Sequence, residues 1–139
     1  MITNSPEDTM RLGEKLAAGL KLGDVVALYG DLGSGKTTFT KGIGKALGVK
    51  DFYYINSPSF VLIKEYEGRI PLYHIDLYRL QRLQEIKDIG IEEYLGCRGV
   101  SVIEWAEKIK GLIPKSHIAV HFKFKGERKR EIVIEDFRD

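Results

Sequence analysis

Cysteine is nearly absent: Cys97 is the only one in 139 residues. A single thiol excludes an internal disulfide and a multi-cysteine zinc site, and it fits a reducing compartment. Long apolar runs are missing too, since no stretch approaches the length that crosses a bilayer. The opening residues, MITNSPED, carry no basic region followed by an apolar segment. These absences predict a soluble, cytoplasmic protein with no membrane partner. Charge of one sign is also scarce: 22 Lys and Arg against 20 Asp and Glu leave a net charge of +2, too little to imply nucleic-acid binding by the chain as a whole. No internal repeat, low-complexity tract or Pro/Gly/Ser-rich linker divides it, so residues 1–139 read as one domain. A domain of this size buries roughly two thirds of its unfolded surface. With 43% hydrophobic residues it has enough apolar material for a core without disulfides or a structural metal.

What is present begins with a helix signal, in which Ser5 is the N-cap, Pro6 the first helical residue and Asp8 the acid three after the cap. Met10, Gly13, Ala17 and Leu20, with Leu12 and Leu16 alongside, supply the apolar face. Val25–Tyr29 reads as a short strand buried on both faces. From Lys36 a helix runs to about Leu47, with Phe39, Ile43 and Leu47 on one side and Gly48 as the C-terminal cap. Gly42 and Gly44 inside it each disfavour the helix by about 1 kcal/mol relative to Ala, which predicts close packing on a neighbouring element. FVLIKEYE and RIPLYHID pair as a hairpin, and Leu77 to about Ile89 is predicted helical, with a further turn of helix in IEEYL. Val100–Trp105 is another apolar strand, this one ending in an acid. In HIAVHFKFK, Ile118, Val120, Phe122 and Phe124 alternate with polar positions, as in an antiparallel strand with one wet face; GERKR bends the chain into EIVIEDF. Together these elements predict an α/β domain of three layers, with parallel central strands and antiparallel hairpins at the edges.

The stretch YGDLGSGKTTFTKGIGKAL, residues 29–47, carries the chemistry. Gly30, Gly35, Lys36 and Thr37 meet the pattern G-x-x-x-x-G-K-[ST], with an apolar strand before it and a helix after it, the setting a P-loop requires. A helix N-terminus points unpaired N–H groups at an anion, and glycines allow positive φ and close approach. Backbone amides of about Gly33, Ser34, Gly35 and the residues through Thr38 are therefore predicted to cradle phosphates. Lys36 reaches the β- and γ-phosphates, Thr37 coordinates magnesium through its hydroxyl, and Thr38 contacts an inner phosphate. The expected cofactors are ATP and Mg2+, on a P-loop NTPase fold.

A magnesium triphosphate site also needs an acid at the end of a neighbouring strand. Two positions compete, Asp76 in YHIDLYRL and Glu104 in VIEWAEK, each closing an apolar run where α/β sheets bind ligands. Glu104 is the first choice for metal ligand or water-orienting acid, because an acid in a central strand needs a cation or metal. Asp76 is the second, with helix capping as its alternative. His74, two residues before Asp76 on the same strand face, reads either as a site group or as a core histidine satisfied by a hydrogen bond. Ser57 and Ser59 in NSPSF read either as hydroxyls near the γ-phosphate or as an ordinary turn. Trp105 is core packing or part of a docking surface. Lys123, Lys125, Arg128, Lys129 and Arg130 form the one basic cluster, either a solvated hairpin tip or a contact for RNA or an acidic partner.

No Asn-Lys pair occurs, so the guanine-reading N-K-x-D of small GTPases is missing. Small-molecule kinases on this fold need a lid that usually takes more chain than remains. The Asp-Glu pair and second domain of AAA-type motors are not visible. GDLGSGKTTF, NSPSF, HIDLYRL, IGIEEYL and VIEWAEK, in that order, resemble the small bacterial P-loop ATPases called TsaE, formerly YjeE, over nearly the whole chain. Ser34 stands where that family often has alanine, and Ser59 where threonine is usual. The resemblance implies a part in making the threonylcarbamoyladenosine next to the anticodon of tRNAs. The ATPase would not form the threonylcarbamoyl-adenylate itself; it would bind the TsaD–TsaB complex and reset it through ATP hydrolysis, with tRNA touched weakly or indirectly. It gives Lys36, Asp76 and Glu104 catalytic roles, and the magnesium to Thr37 and Glu104 with Asp76 linked to it. It brings Thr9 and Arg130 to the nucleotide base. The alternatives from other classes are a small-molecule kinase and a nucleotide-binding interaction module without productive hydrolysis.

Overall fold

The computed structural model describes residues 1–31, 33–56, 63–80, 82–88, 90–95 and 98–139. Ser57, Ser59 and Cys97 lie outside the described residues. Helix α1 (Pro6–Ala17) begins as its sequence dictates: the Ser5 hydroxyl accepts from the Asp8 N–H at 3.1 Å, with Pro6 in the first turn. After β1 (Ile2–Thr3) and α1, the strand β2 (Val25–Tyr29) leads into α2 (Lys36–Ala46), which ends at Gly48 with φ 84°. Then follow β3 (Ile63–Tyr66), β4 (Leu72–Asp76), α3 (Leu83–Asp88), β5 (Val100–Glu104), β6 (Ile118–Phe124) and β7 (Arg130–Asp136). Single turns of 3-10 helix lie at Phe52–Tyr54, Ile91–Glu93 and Ala106–Ile109.

These strands form one seven-stranded sheet in the order β1-β7-β6-β2-β5-β4-β3. β6, β2, β5 and β4 run parallel; β3 joins β4, β7 joins β6 and β1 joins β7 antiparallel. The predicted α/β fold with parallel centre and antiparallel edges is the one observed. All five residues of β4 and of β5 are buried, as strands covered on both faces must be. Alternate residues serve two cores. Val26, Leu28, Leu72, Val100, Val102, Val120 and Phe122 pack under α1 and α2. Val25, Ala27, Ile75 and Ile103 pack on the other face with Leu77, Ile86, Ile91 and Ile109.

The glycines of α1 and α2 interlock as predicted. A Cβ at Gly42 would overlap the Met10 carbonyl oxygen, one at Gly13 the Phe39 carbonyl oxygen, and one at Gly44 the Ile55 Cδ1. The two helices thus touch through main chain, which fixes α2 against α1.

Three expectations need correction. Helix is expected from Leu77 to about Ile89, whereas α3 covers only Leu83–Asp88. The groups that helix would use are taken elsewhere: Asp76 Oδ1 accepts from the Tyr78 N–H at 2.9 Å, and Lys108 Nζ donates to the carbonyls of Tyr78 and Leu80, both at 2.6 Å. Second, β6 is not purely antiparallel, because it lies between parallel β2 and antiparallel β7. β2 pairs with it only as far as His121, so its tip outruns the neighbour and Phe124 is exposed, its ring covered in part by the Arg130 guanidinium 4.4 Å away. Third, β5 stops at Glu104, since Trp105 turns into the left-handed region with φ 62°. β1, at two residues, is too short for a periodicity signal to announce it. Among the described residues no helix is long and apolar enough to cross a membrane.

Candidate functional site

The end of β2 and the start of α2 form the site's floor. β2 is central, between β5 and β6, so the chain leaving it emerges at the carboxyl end of the sheet. Gly30, Gly33 and Gly35 hold φ of 146°, 75° and 104°, a backbone that other residues adopt only under strain. A side chain at Gly30 would also meet the Phe122 carbonyl oxygen at 2.8 Å. Helix α2 starts with no side-chain cap and no acid in its first turn, which leaves its leading amides for an anion. Within the loop, the Ser34 amide donates to the Asp31 carbonyl at 3.2 Å, and the buried Ser34 hydroxyl has no partner among the described residues.

Lys36 is buried, 4% exposed, and folds back over the loop to donate from Nζ to the Gly30 carbonyl at 2.6 Å. Its ammonium sits 3.9 Å above the centre of the Trp105 ring, a cation–π contact that a left-handed Trp105 makes reachable. Burial pushes the Lys36 ammonium below its ordinary value, against the pull of the Glu104, Glu107, Asp76 and Asp31 carboxylates. Trp105 also packs against Tyr78, with ring centres 5.0 Å apart. Its predicted alternatives resolve into a half-buried side chain that faces the site's lysine.

Glu104 and Asp76 end adjacent parallel strands directly opposite one another. Glu104 is buried and its Oε2 lies 3.4 Å from the Thr37 hydroxyl. Asp76 is 9% exposed, and burial, seconded by Glu104, holds its carboxyl above the usual carboxylate range against the Tyr78 N–H bond. The capping alternative for Asp76 is present in modified form, as a cap on a turn rather than on a helix. His74, fully buried, brings Nε2 within 2.5 Å of Glu104 Oε2. The reading of His74 as a histidine satisfied inside the fold is the one observed, and its partner is the carboxylate of Glu104. Among the described residues no group of three or more His, Cys, Asp or Glu gathers as a metal cage. A magnesium ion does not require one, because it takes one or two protein oxygens together with phosphate and water. The hard oxygens of Thr37 and Glu104, side by side at the helix start, fit that donor set.

The family model for the threonylcarbamoyl adenosine biosynthesis protein TsaE matches residues 3–132. The chain belongs to the TsaE family. It is 44% identical over 133 residues to the tRNA threonylcarbamoyladenosine biosynthesis protein TsaE of Bacillus subtilis, covering 95% of this chain and 82% of that one. The TsaE of Treponema pallidum is 38% identical over 133 residues, covering 96% and 97% of the two chains. The crystal structure of Bacillus subtilis YdiB superposes with a TM-score of 0.76 at 38% identity, over 99% of this chain and 84% of that one.

In this TsaE-family chain the two residues expected at the base, Thr9 and Arg130, come together on either side of Gly35, in a cleft shared with Pro6, Thr38 and Arg128. The Thr9 hydroxyl is bonded to the Thr3 hydroxyl at 2.8 Å, so its methyl, not its oxygen, faces Gly35. Arg130 donates to the Gly33 carbonyl and to the Gly126 carbonyl, each at 2.9 Å, tying the β6–β7 hairpin to the phosphate loop. That withdraws Arg130 from the basic cluster. Of the others, Arg128 pairs with Glu7 at 3.4 Å and Lys125 with Glu131 at 3.8 Å. Sequence reasoning missed the His74–Glu104 and Arg130–Gly33 contacts. The alternation in HID, which sets His74 and Asp76 on one face, is the one signal for the first.

Proposed function

We propose that this chain is a magnesium-dependent ATPase that supports threonylcarbamoyladenosine modification of tRNA in the cytoplasm, by binding the TsaD–TsaB complex and resetting it through ATP hydrolysis. The observation that carries the ATPase is the convergence, at the start of α2, of a buried ammonium, a hydroxyl and a strand-end carboxylate. Family membership supports the pathway and the partner.

Each residue has a task in this reading. The loop amides and the first amides of α2 bind phosphate oxygens, with Thr38 on an inner phosphate. Lys36, already turned into the loop, keeps two further ammonium hydrogens for the β- and γ-phosphates. Thr37 and Glu104 would hold the magnesium, with Asp76 as the second acid; magnesium bound there neutralises charge on the phosphates. Glu104 orients the attacking water, and its buried surroundings strengthen that interaction. Thr9 and Arg130 border the base. No sequence motif identifies an arginine finger, and Arg130 is held by carbonyls, so hydrolysis by the isolated chain is expected to be slow, on the order of 10⁻⁴ to 10⁻² per second. The partner complex accelerates it.

Calorimetry of ATP with Mg2+ tests the site directly. Lys36→Ala is expected to weaken ATP binding at least about a hundredfold, or about 2.7 kcal/mol, while Glu104→Ala keeps most of the affinity and loses magnesium-dependent turnover. No heat of binding with the wild-type chain, or equal turnover in wild type and Glu104→Ala, would overturn the reading. Radiolabelled ATP separates the alternatives, since a kinase labels an acceptor and an interaction module releases no phosphate. In reconstituted tRNA modification, multiple turnover is expected to depend on this chain.

A further inference from the structure

His74 has no place in the phosphate or magnesium chemistry just described, yet it is the one histidine buried at the site. It is fully enclosed on β4, opposite Val102 in the sheet register, while Asp76 is opposite Glu104. Its Nε2 therefore reaches diagonally across to β5 to meet Glu104 Oε2 at 2.5 Å. Its Nδ1 is buried with no partner among the described residues. A polar ring in an apolar sheet is retained only when its bonds matter, and here the one described bond goes to the site's carboxylate. The same Oε2 is the atom that lies 3.4 Å from the Thr37 hydroxyl.

We infer that His74 is a positioning residue: through the Nε2–H bond it fixes the carboxylate plane of Glu104 relative to Thr37, and so sets the magnesium affinity of the nucleotide complex. The inference rests on the ATPase reading above. A Glu side chain has three rotatable bonds, and its terminal torsion is broad, so β5 alone does not determine where the oxygens point. A rigid ring from the adjacent strand does. Ligand groups oriented in this way lose about 10–100-fold in metal affinity when the orienting partner is removed. His74 touches neither phosphate nor metal in this scheme, so its loss acts on the metal and spares the binding of nucleotide alone.

The test compares His74→Gln, whose terminal amide can donate from near the Nε2 position, with His74→Leu, which cannot donate. ADP binding is measured by calorimetry in EDTA and across a Mg2+ titration. His74→Leu is expected to raise the Mg2+ concentration for half-maximal tightening about tenfold, with affinity in EDTA within about twofold of wild type, and His74→Gln to recover most of the loss. Equal losses in both variants, a parallel loss in EDTA, or an unchanged Mg2+ dependence would overturn the inference. Imidazole 15N spectra of the wild-type chain without nucleotide or metal provide an arm that needs no variant to fold. They are expected to show the proton on Nε2, and a ring protonated on Nδ1 alone would also overturn it. Failure of the wild-type chain to bind ADP or ATP at all would instead sink the ATPase reading, while the spectra would still decide whether the bond exists.

Discussion

The two faces of the sheet are built on different principles. Under α1 and α2, main chain meets main chain through Gly13 and Gly42, and an apolar core of aliphatic and aromatic side chains fills the remainder. On the opposite face the described residues hold one short helix and two single turns of 3-10 helix, packed on a second apolar core and fastened in addition by individual polar ties: Lys108 to the carbonyls of Tyr78 and Leu80, and the Ser101 hydroxyl to the Tyr94 carbonyl at 3.1 Å. The first arrangement leaves little slack between α1 and α2, the helix that follows the glycine loop. The second is built of shorter elements that meet the sheet through side chains rather than main chain, so it is expected to open locally at lower free energy than the first. Under the function proposed above, a rigid floor beside more loosely held elements suits a nucleotide site that responds to a partner.

The largest test of this contrast is Gly42→Ala. In an unconstrained helix it would stabilise by about 1 kcal/mol; here the new methyl overlaps Met10 backbone and a loss of about 2 kcal/mol is expected in urea melts. Gly44→Ala meets the end of the Ile55 side chain instead and should lose less. A gain at Gly42 would remove the basis for calling that face rigid. Lys108→Met comes next. Losing two charge-assisted bonds costs about 1.5 kcal/mol, and amide exchange at residues 77–80 should quicken while α1 and α2 keep their protection. Uniform loss of protection in both layers would contradict the contrast. Asp76→Asn has the smallest effect and the opposite sign. Because the folded chain holds the Asp76 proton more readily than the unfolded chain, stability falls as pH rises from the ordinary 3.8 through the raised value. Asn keeps an acceptor for the Tyr78 N–H without the buried charge, so the melting temperature should rise by about 3 °C at pH 7, and the gain should shrink as pH is lowered toward 3.8. The same substitution should slow ATP turnover, the familiar exchange of stability against activity.

Features that depend on neighbours along the chain are legible in the sequence itself. The Ser5 cap, the strand-loop-helix of the phosphate site, the glycine packing of α2 and both hairpins all declare themselves within a few residues. What the sequence hides depends on groups brought together from a distance. Lys108 is 30 residues from Tyr78, and it converts an apparent helix start into a turn. Arg130 is 97 residues from Gly33, and nothing in the GERKR bend announces that one of its cations points inward. His74 and Glu104, 30 residues apart, meet only because β4 and β5 are adjacent and in a particular register, which alternation within either strand cannot specify. The candidate acids are legible because strand ends are local features; how they are held is not, because that belongs to the sheet.

Trp105 is the only tryptophan in the chain, and its left-handed backbone lays the ring against the Lys36 ammonium. The tryptophan fluorescence of the chain therefore arises from a single indole beside the lysine proposed to meet a polyphosphate. Any shift of that cation toward incoming oxygens would alter the emitter's electrostatic surroundings, so occupancy of the proposed site is expected to be observable optically in the unlabelled chain.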